Sequence, residues 1–305
     1  MHFKIISNSN SGHNRKNPKH IEHLAKIVGN EILLPSLETL DSTIASLREE
    51  KLDILGISGG DGTIHKTLSA MYRVYKDNPW PKIVLLSNGT MNNIAKNVGI
   101  RKRSIPQLQK IMNALNDDRE LTVSTRHPLI FDDEKAGFIF GQGGIAKFLE
   151  AYYEGGNPSQ AKAAYLLIRA IFSSLINGSF VRKVFAPVEM DISADGKKLA
   201  HNRFTVSVLS SVSDLGFGFR PCYAPLTNPK IAQFIGFTRH PVITAFSLPK
   251  IRLALPVNLP SVQDSCGTSF VLNPKEPMSY TIDGDLYTCR KTLNIRLGPP
   301  IDFVL

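Results

Sequence analysis

Short apolar runs alternate with amphipathic stretches over the first 124 residues. FKIISN (residues 3–8) is largely apolar and closes on polar turn residues; EILLP, LDILGIS (52–58) and KIVLLS (82–87) are further apolar runs. Between them lie PKHIEHLAKIVGN, LETLDSTIASLREEK with Leu40, Ile44 and Leu47 on one face, TIHKTLSAMYRVYK with Ile64, Leu68, Met71 and Tyr75 at helical spacing, and the short TMNNIAKNVGI. Apolar positions recurring every three or four residues mark amphipathic helices, and brief continuous apolar runs mark buried strands. Strands alternating with helices predict a parallel sheet with right-handed crossovers.

The texture changes at about residues 122 to 126. LTVSTRHPLIF, KAGFIFGQ, KVFAPVEMDIS, RFTVSVLSS, KIRLALP, TSFVLN, MSYTIDGDLYTC and TLNIRLG are short β-like runs separated by turn residues, interrupted by one helical stretch near 145–177. That pattern predicts an antiparallel sandwich or barrel. The expected division is therefore an α/β domain over residues 1–124 and a β-rich domain over 125–305. The last strand is expected to return to the N-terminal domain.

Composition supports a packed protein. Of 305 residues, 42% are hydrophobic and 20% charged, which suits a folded core and argues against global disorder. The formal net charge of +10 favours an anionic partner, whether nucleic acid, nucleotide phosphates or an acidic membrane surface, and does not choose among them. Cys222, Cys266 and Cys289 are widely spaced, which argues against a disulfide framework or zinc site and fits a reducing cytoplasm. The N-terminus lacks the pattern of a signal peptide. YLLIRAIFSSLI (165–176) is too short to span a bilayer and contains Arg169.

The chemistry concentrates at turns. LDILGISGGDGTIHKTL reads as strand, glycine turn, helix. Glycine permits close backbone approach to a ligand, and the helix start directs unpaired N–H groups and the positive end of its dipole at the turn. Such a turn suits phosphate. Thr63 adds a hydroxyl, while Asp61 either meets a nucleotide-held cation or holds the loop through backbone N–H groups. KIVLLSNGTMNNIA repeats the arrangement, and SNSNSG follows the first strand. Three such turns predict one binding edge at the carboxyl ends of the strands. Neither GxxxxGK[ST] nor GxGxxG occurs.

SNSNSG, GGDGTIH and SNGTMNNIA resemble, in order and spacing, the diacylglycerol kinase catalytic family, which includes soluble bacterial lipid kinases and sphingosine kinases. GFGFRPCYAP and YTIDGDLY extend the resemblance to nearly the whole chain. The resemblance implies a phosphofructokinase- or NAD-kinase-like parallel α/β nucleotide-binding domain, a β-sandwich lipid-binding domain, a cleft between them, and ATP and Mg²⁺ as reagents. Carried over by position, Gly59, Gly60, Asp61, Gly62 and Thr63 would wrap the phosphates. Gly89, Thr90 and Asn92 would assist from the second turn and Asn8 and Ser11 from the first, with Ser36 near the nucleotide. Asp61 would reach the metal through the nucleotide-bound Mg²⁺. Asp285 takes the position of the general base, with Asp283-Gly284 also forming a hairpin turn.

This sequence departs from the family at several places. Ser9 replaces a proline. His65 and Lys66 stand where many members have Asn and Glu, and Asn93 where many have Asp. LTNPKIAQF lacks the acidic segment that holds a structural metal in some relatives, so a second metal site is not expected. His127, His201 and His240 are isolated and read as structural or surface residues; Arg220 could meet a phosphate but reads rather as a surface ion pair. AAYLLIRAIFSSLI, with Leu166, Leu167, Ala170, Ile171 and Leu175 on one face, lines either a lipid pocket or a core. FIGFTRHPVITAF places Phe234, Phe237, Arg239 and His240 in a loop-like region, open to an anionic membrane interface or to an ordinary loop role.

The function expected is ATP-dependent phosphoryl transfer to a hydroxyl of a diacylglycerol-like lipid, by a cytoplasmic protein that visits membranes and has no nucleic-acid partner. One alternative is a NAD kinase or phosphofructokinase relative acting on a soluble substrate. The other is a catalytically impaired nucleotide- or lipid-binding protein, suggested by Lys66 and Asn93.

Overall fold

A computed structural model describes residues 2–8, 19–29, 31–87, 92–100, 103–154, 162, 165–166, 169, 184–239 and 241–305. The chain divides into two compact units. The first comprises residues 1–128, 133–137 and 298–305, and the second residues 129–132 and 138–297.

In the first unit the order is β1 (Phe3–Ser7), α1 (Lys19–Val28), β2 (Ile32–Leu33), α2 (Leu40–Glu49), β3 (Ile54–Gly59), α3 (Asp61–Tyr75), β4 (Lys82–Ser87), α4 (Asn93–Asn97), α5 (Ser104–Asn116) and β5 (Val123–Arg126). The sheet runs β2-β1-β3-β4, then the chain's last strand, then β5. All pairs among β2, β1, β3 and β4 are parallel. One face carries Phe3, Ile5, Ile54, Val84 and Leu86, packed with Leu24 of α1 and Leu108 and Ile111 of α5. Buried Ile44 and Leu47 of α2 and Ile64, Leu68 and Met71 of α3 show the helical spacing that the sequence displays.

The second unit contains β6 (Leu129–Phe131); residues 133–137, with β7 (Lys135–Gly137), belong to the first. Then come β8 (Ile139–Gly143), α6 (Gly144–Tyr153), β9 (Val188–Ala194), β10 (Lys197–Lys198), β11 (Arg203–Phe204), β12 (Val206–Ser210), α7 (Ala224–Thr227), β13 (Ala232–Phe237), α8 (Pro241–Arg252), β14 (Val262–Gly267), β15 (Ser269–Pro274), β16 (Met278–Ile282), β17 (Asp285–Cys289) and β18 (Leu293–Leu297). The chain's last strand, β19 (Ile301–Val304), lies in the first sheet, parallel to β4 and antiparallel to β5.

Two antiparallel sheets build the second unit, β10-β9-β15-β18-β6 with β11 also on β9, and β14-β13-β12-β8-β16-β17. Both contribute to one core, with Met190, Ile192, Phe270 and Ile295 from the first and Phe140, Leu209, Phe234 and Tyr280 from the second. A second cluster, including Val208, Ile235, Phe237 and Ile251, joins strands β12 and β13 to α8.

Several features differ from the sequence reading. KIRLALP, expected as a β-like run, is instead the end of helix α8 and the turn after it. Phe234 and Phe237 are buried strand residues of β13, not loop residues at an interface. PVITAF begins helix α8, which the sequence conceals because Pro249 interrupts it and apolar residues occur on both of its sides. Helix α5 also went unread. Much of 145–177, including Leu167, Ala170, Ile171 and Leu175, lies outside the described residues, as does His240. Leu166 is buried.

Candidate functional site

Parallel register aligns the ends of three strands. Ser7 lies opposite Ser58, Ser58 opposite Leu86, and Gly59 opposite Ser87. The turns that leave these strands therefore start at one edge. Asn8 stays there by donating its backbone N–H to Ser58 O at 3.3 Å and its Nδ2 to Thr63 Oγ1 at 3.3 Å. The first polar turn and the GGDGT turn are thus directly joined.

Gly59 is required by close approach. A Cβ there would lie 2.5 Å from both Cβ and Oγ1 of Thr63, whose side chain folds back over the strand end. Gly60, between β3 and α3, is extended, and α3 begins at Asp61. Ile64 N–H gives the first helical bond, to Gly60 O at 3.1 Å. The N–H groups of Asp61, Gly62 and Thr63 precede it and have no intrahelical acceptor. With the positive end of a 15-residue helix behind them, they form a backbone cradle for an anion.

The Asp61 carboxylate faces the start of α4. It accepts the backbone N–H groups of Asn93 at 3.1 Å and Ile94 at 3.2 Å, one on each oxygen. These are the first residues of α4, entered from Asn92 in the left-handed conformation with φ 51°. Burial pushes the Asp61 carboxyl above its ordinary value, opposed by the N–H groups of Asn93, Ile94 and Asn92 and by the charge of Lys96. Asp61 therefore pins the exit of the second turn to the helix start of the first. Sequence reading singled out neither Lys96 nor Ser87. The signal available was register for Ser87, which ends β4 opposite Gly59.

Ser36 is exposed and bonds locally. It accepts the N–H of Thr39 on Oγ at 3.2 Å and donates its own N–H to Thr39 Oγ1 at 3.0 Å, shaping the entry to α2. Asp41 makes a two-pronged ion pair with Arg73, both contacts at 2.6 Å. His65 is buried and donates Nδ1–H to Ala136 O at 2.9 Å. Ser69, one turn on, both donates to Ala136 O and accepts its N–H. Tyr72 donates to Asp133 Oδ1 at 2.8 Å, and Lys76 Nζ to Asp133 O at 3.2 Å. One stripe of α3 thus grips residues 133–137, and His65 belongs to that grip.

In the second unit, Asp283 and Gly284 form a two-residue hairpin between β16 and β17, with φ 51° and 101°. Positive φ at both positions matches the type I′ turn. The Asp283 carboxylate accepts Phe138 N–H at 3.0 Å and Ile139 N–H at 2.9 Å, fastening the turn to β8. Asp285 is the first residue of β17, opposite Ile282, and half-buried. His127 donates Nδ1–H to Gly298 O, and His201 contacts Pro260 O. Arg220 pairs with Asp214 at 3.7 Å.

The structure therefore joins Asn8, Gly59–Thr63 and Asn92 at one strand edge, while Ser36 bonds to Thr39. Ser11, Gly89 and Thr90 lie outside the described residues. A nucleotide fits this edge in two respects: Gly59 leaves room for the Thr63 side chain, which any Cβ there would displace, and the buried Ser87 hydroxyl has no hydrogen-bond partner among the described residues. For Mg²⁺ the donor set is lean. No group of three His, Cys, Asp or Glu side chains suited to a metal occurs among the described residues, and each Asp61 oxygen already accepts an N–H. The residues present suit an ion carried chiefly by nucleotide phosphates.

Among the described residues no helix is long and apolar enough to cross a membrane. No curated protein matches the sequence. Solved structures share the fold. A diacylglycerol kinase from Bacillus anthracis str. Sterne superimposes with a TM-score of 0.67 at 13% identity, covering 99% of this chain and 96% of that one. Two further structures from that organism, named as candidate diacylglycerol kinases, give TM-scores of 0.73 and 0.69 at 13% and 14% identity with the same coverage. The segment that carries all three glycine and polar turns, residues 2–123, matches the family model of the diacylglycerol kinase catalytic domain.

Proposed function

We propose that the protein is an ATP-dependent lipid kinase that transfers the γ-phosphoryl group to a hydroxyl of a diacylglycerol-like lipid. The observation that carries this reading is the Asp61 clamp. It ties together the starts of the helices that follow two glycine turns on adjacent strands, inside the segment that matches the diacylglycerol kinase catalytic domain. Backbone N–H groups of the α3 start hold the phosphates, with Asn8, Ser11, Thr63, Gly89, Thr90 and Asn92 around them and Ser36 toward the nucleoside. Asp61 would stand near a Mg²⁺ held by the nucleotide, and that ion would supply neutralisation of phosphate charge when bound. Asp285 accepts the proton of the lipid hydroxyl as its oxygen bonds to the γ-phosphorus and the bond to the β-phosphate oxygen breaks, releasing ADP. The protein acts in the cytoplasm, on the surface of an anionic membrane.

The test is incubation with radiolabelled ATP and a panel of lipids in mixed micelles, alongside NAD and sugar phosphates. Label in a lipid hydroxyl product is expected. Label in NAD or a sugar phosphate, or nucleotide binding without transfer to any acceptor, would overturn the reading.

A further inference from the structure

Helix α8 is apolar on two sides. Ile251 is buried and Leu248 packs on the same cluster, joining α8 to β12 and β13. Phe246, Pro249, Lys250 and Leu253 follow one another at helical spacing on the other side, and all are exposed: Phe246 to 76% and Leu253 to 70%. A helix with two apolar sides satisfies one with the core and presents the other to a second apolar medium. Leu255 is exposed just beyond it.

A loop joins this face. Gly216, Phe217 and Gly218 have φ values of 112°, 52° and 74°. Glycine adopts that region readily, but for phenylalanine it is strained. The strain is held in place. Asp214 accepts Gly216 N–H at 2.8 Å, Arg252 donates to Phe217 O at 3.1 Å, and Arg220 N–H bonds Ile251 O at 3.1 Å. The result is an exposed aromatic ring at a loop tip secured to the end of α8.

The charge around this face is one-sided. Lys250 and Arg252 are exposed beside this face, while Asp214 is paired with Arg220 and Asp264, on β14, accepts from Tyr223 and Gln233. Exposed apolar side chains beside Lys250 and Arg252 match an anionic bilayer, where the rings and leucines enter the acyl boundary and the cations meet headgroups. A soluble protein partner would not require the cations, and a second copy of this face would oppose them.

We infer that Phe217, Phe246, Leu253 and Leu255, with Lys250 and Arg252, form the surface by which this protein docks on an anionic lipid bilayer. The inference takes its expectation of a bilayer from the lipid-kinase reading, but its test does not use catalysis. The full chain is sedimented with vesicles of phosphatidylcholine alone and with added phosphatidylglycerol. Binding is expected only with the anionic vesicles and is expected to weaken with salt. The double variant Leu253→Glu with Leu255→Glu is expected to weaken it at least about tenfold. Phe217→Gly removes the strained side chain while keeping a residue that tolerates positive φ, so it is expected to keep or raise the melting temperature while reducing vesicle binding.

Unchanged binding in all of these variants, or no binding of wild type to anionic vesicles, would overturn the inference. So would a wild-type dimer in solution that the leucine variants dissociate. Vesicle binding through this face without lipid phosphorylation would leave the surface standing and remove the kinase. Phosphorylation of a monomeric short-chain lipid without vesicle binding would do the reverse.

Discussion

The GGDGT turn and the later Asp-Gly-Asp turn use an aspartate in the same way. Asp61 accepts the N–H groups of Asn93 and Ile94, and Asp283 accepts those of Phe138 and Ile139, in each case two consecutive amides of another segment. Each carboxylate is a clamp on the backbone. The two clamps open onto different structures. Asp61 opens a 15-residue helix with a glycine cradle in front of it. Asp283 turns a tight hairpin corner, and two residues later Asp285 opens a strand. An acid in a glycine-rich turn is therefore not by itself a sign of metal binding or catalysis. The chemistry is carried by the groups that the clamp positions.

The largest effect expected from this comparison is at Asp285. Asp285→Asn is expected to lower kcat about 10²- to 10⁴-fold while leaving the melting temperature near wild type. Phosphoryl transfer measured alongside thermal unfolding checks it, and undiminished turnover would remove the base assignment. The two clamps come next. Asp61→Ala and Asp283→Ala each leave paired amides without their acceptor, and each is expected to cost about 1–3 kcal/mol of stability in denaturant unfolding. Only Asp61→Ala is expected also to weaken nucleotide binding by titration calorimetry. Equal loss of nucleotide affinity in both would break the distinction between cradle and corner.

The Gly59 cradle gives a comparable but reversible effect. Gly59→Ala is expected to cost about 1–3 kcal/mol through its collision with Thr63. Adding Thr63→Ala is expected to restore part of that stability without restoring nucleotide affinity. A double-mutant cycle on urea midpoints measures the coupling.

The smallest effect is a pH slope. The Asp61 carboxyl titrates above its ordinary 3.8 in the folded protein, mainly because of burial. Between 3.8 and that raised value the folded state holds more protons than the unfolded chain, so this group's contribution to stability falls as pH rises. Melting curves across that window are expected to fall more steeply with pH for wild type than for Asp61→Asn.

The strand-edge part of the site was legible because it is local. Apolar runs ending in glycine or serine, with helical spacing after them, place β1, β3 and β4 with their turns. Asp-Gly likewise announces a hairpin. The hidden features depend on partners distant in the chain. His65 is unexplained as a member of a phosphate turn, since its hydrogen-bond acceptor is Ala136, 71 residues away. Asp61 allowed two roles until the amides of Asn93 and Ile94 filled its oxygens. Phe234 and Phe237 read as members of a loop-like region because basic neighbours come after them, yet a two-sided buried strand has no alternation to reveal it. Helix α8 lacks a single apolar stripe, so periodicity gave no signal where the exposed apolar face lies.

The position of β19 constrains how the first unit can be made. Its sheet is incomplete until residues 301–304 exist, because that strand separates β4 from β5. During synthesis β1 to β5 emerge first and then wait for the whole second unit, with the edge of β4 open. An open strand edge invites pairing with other chains. Assembly of the first unit's sheet is thus a late event, and a chain shortened before Ile301 would be exposed to aggregation at β4 however well its second unit had folded.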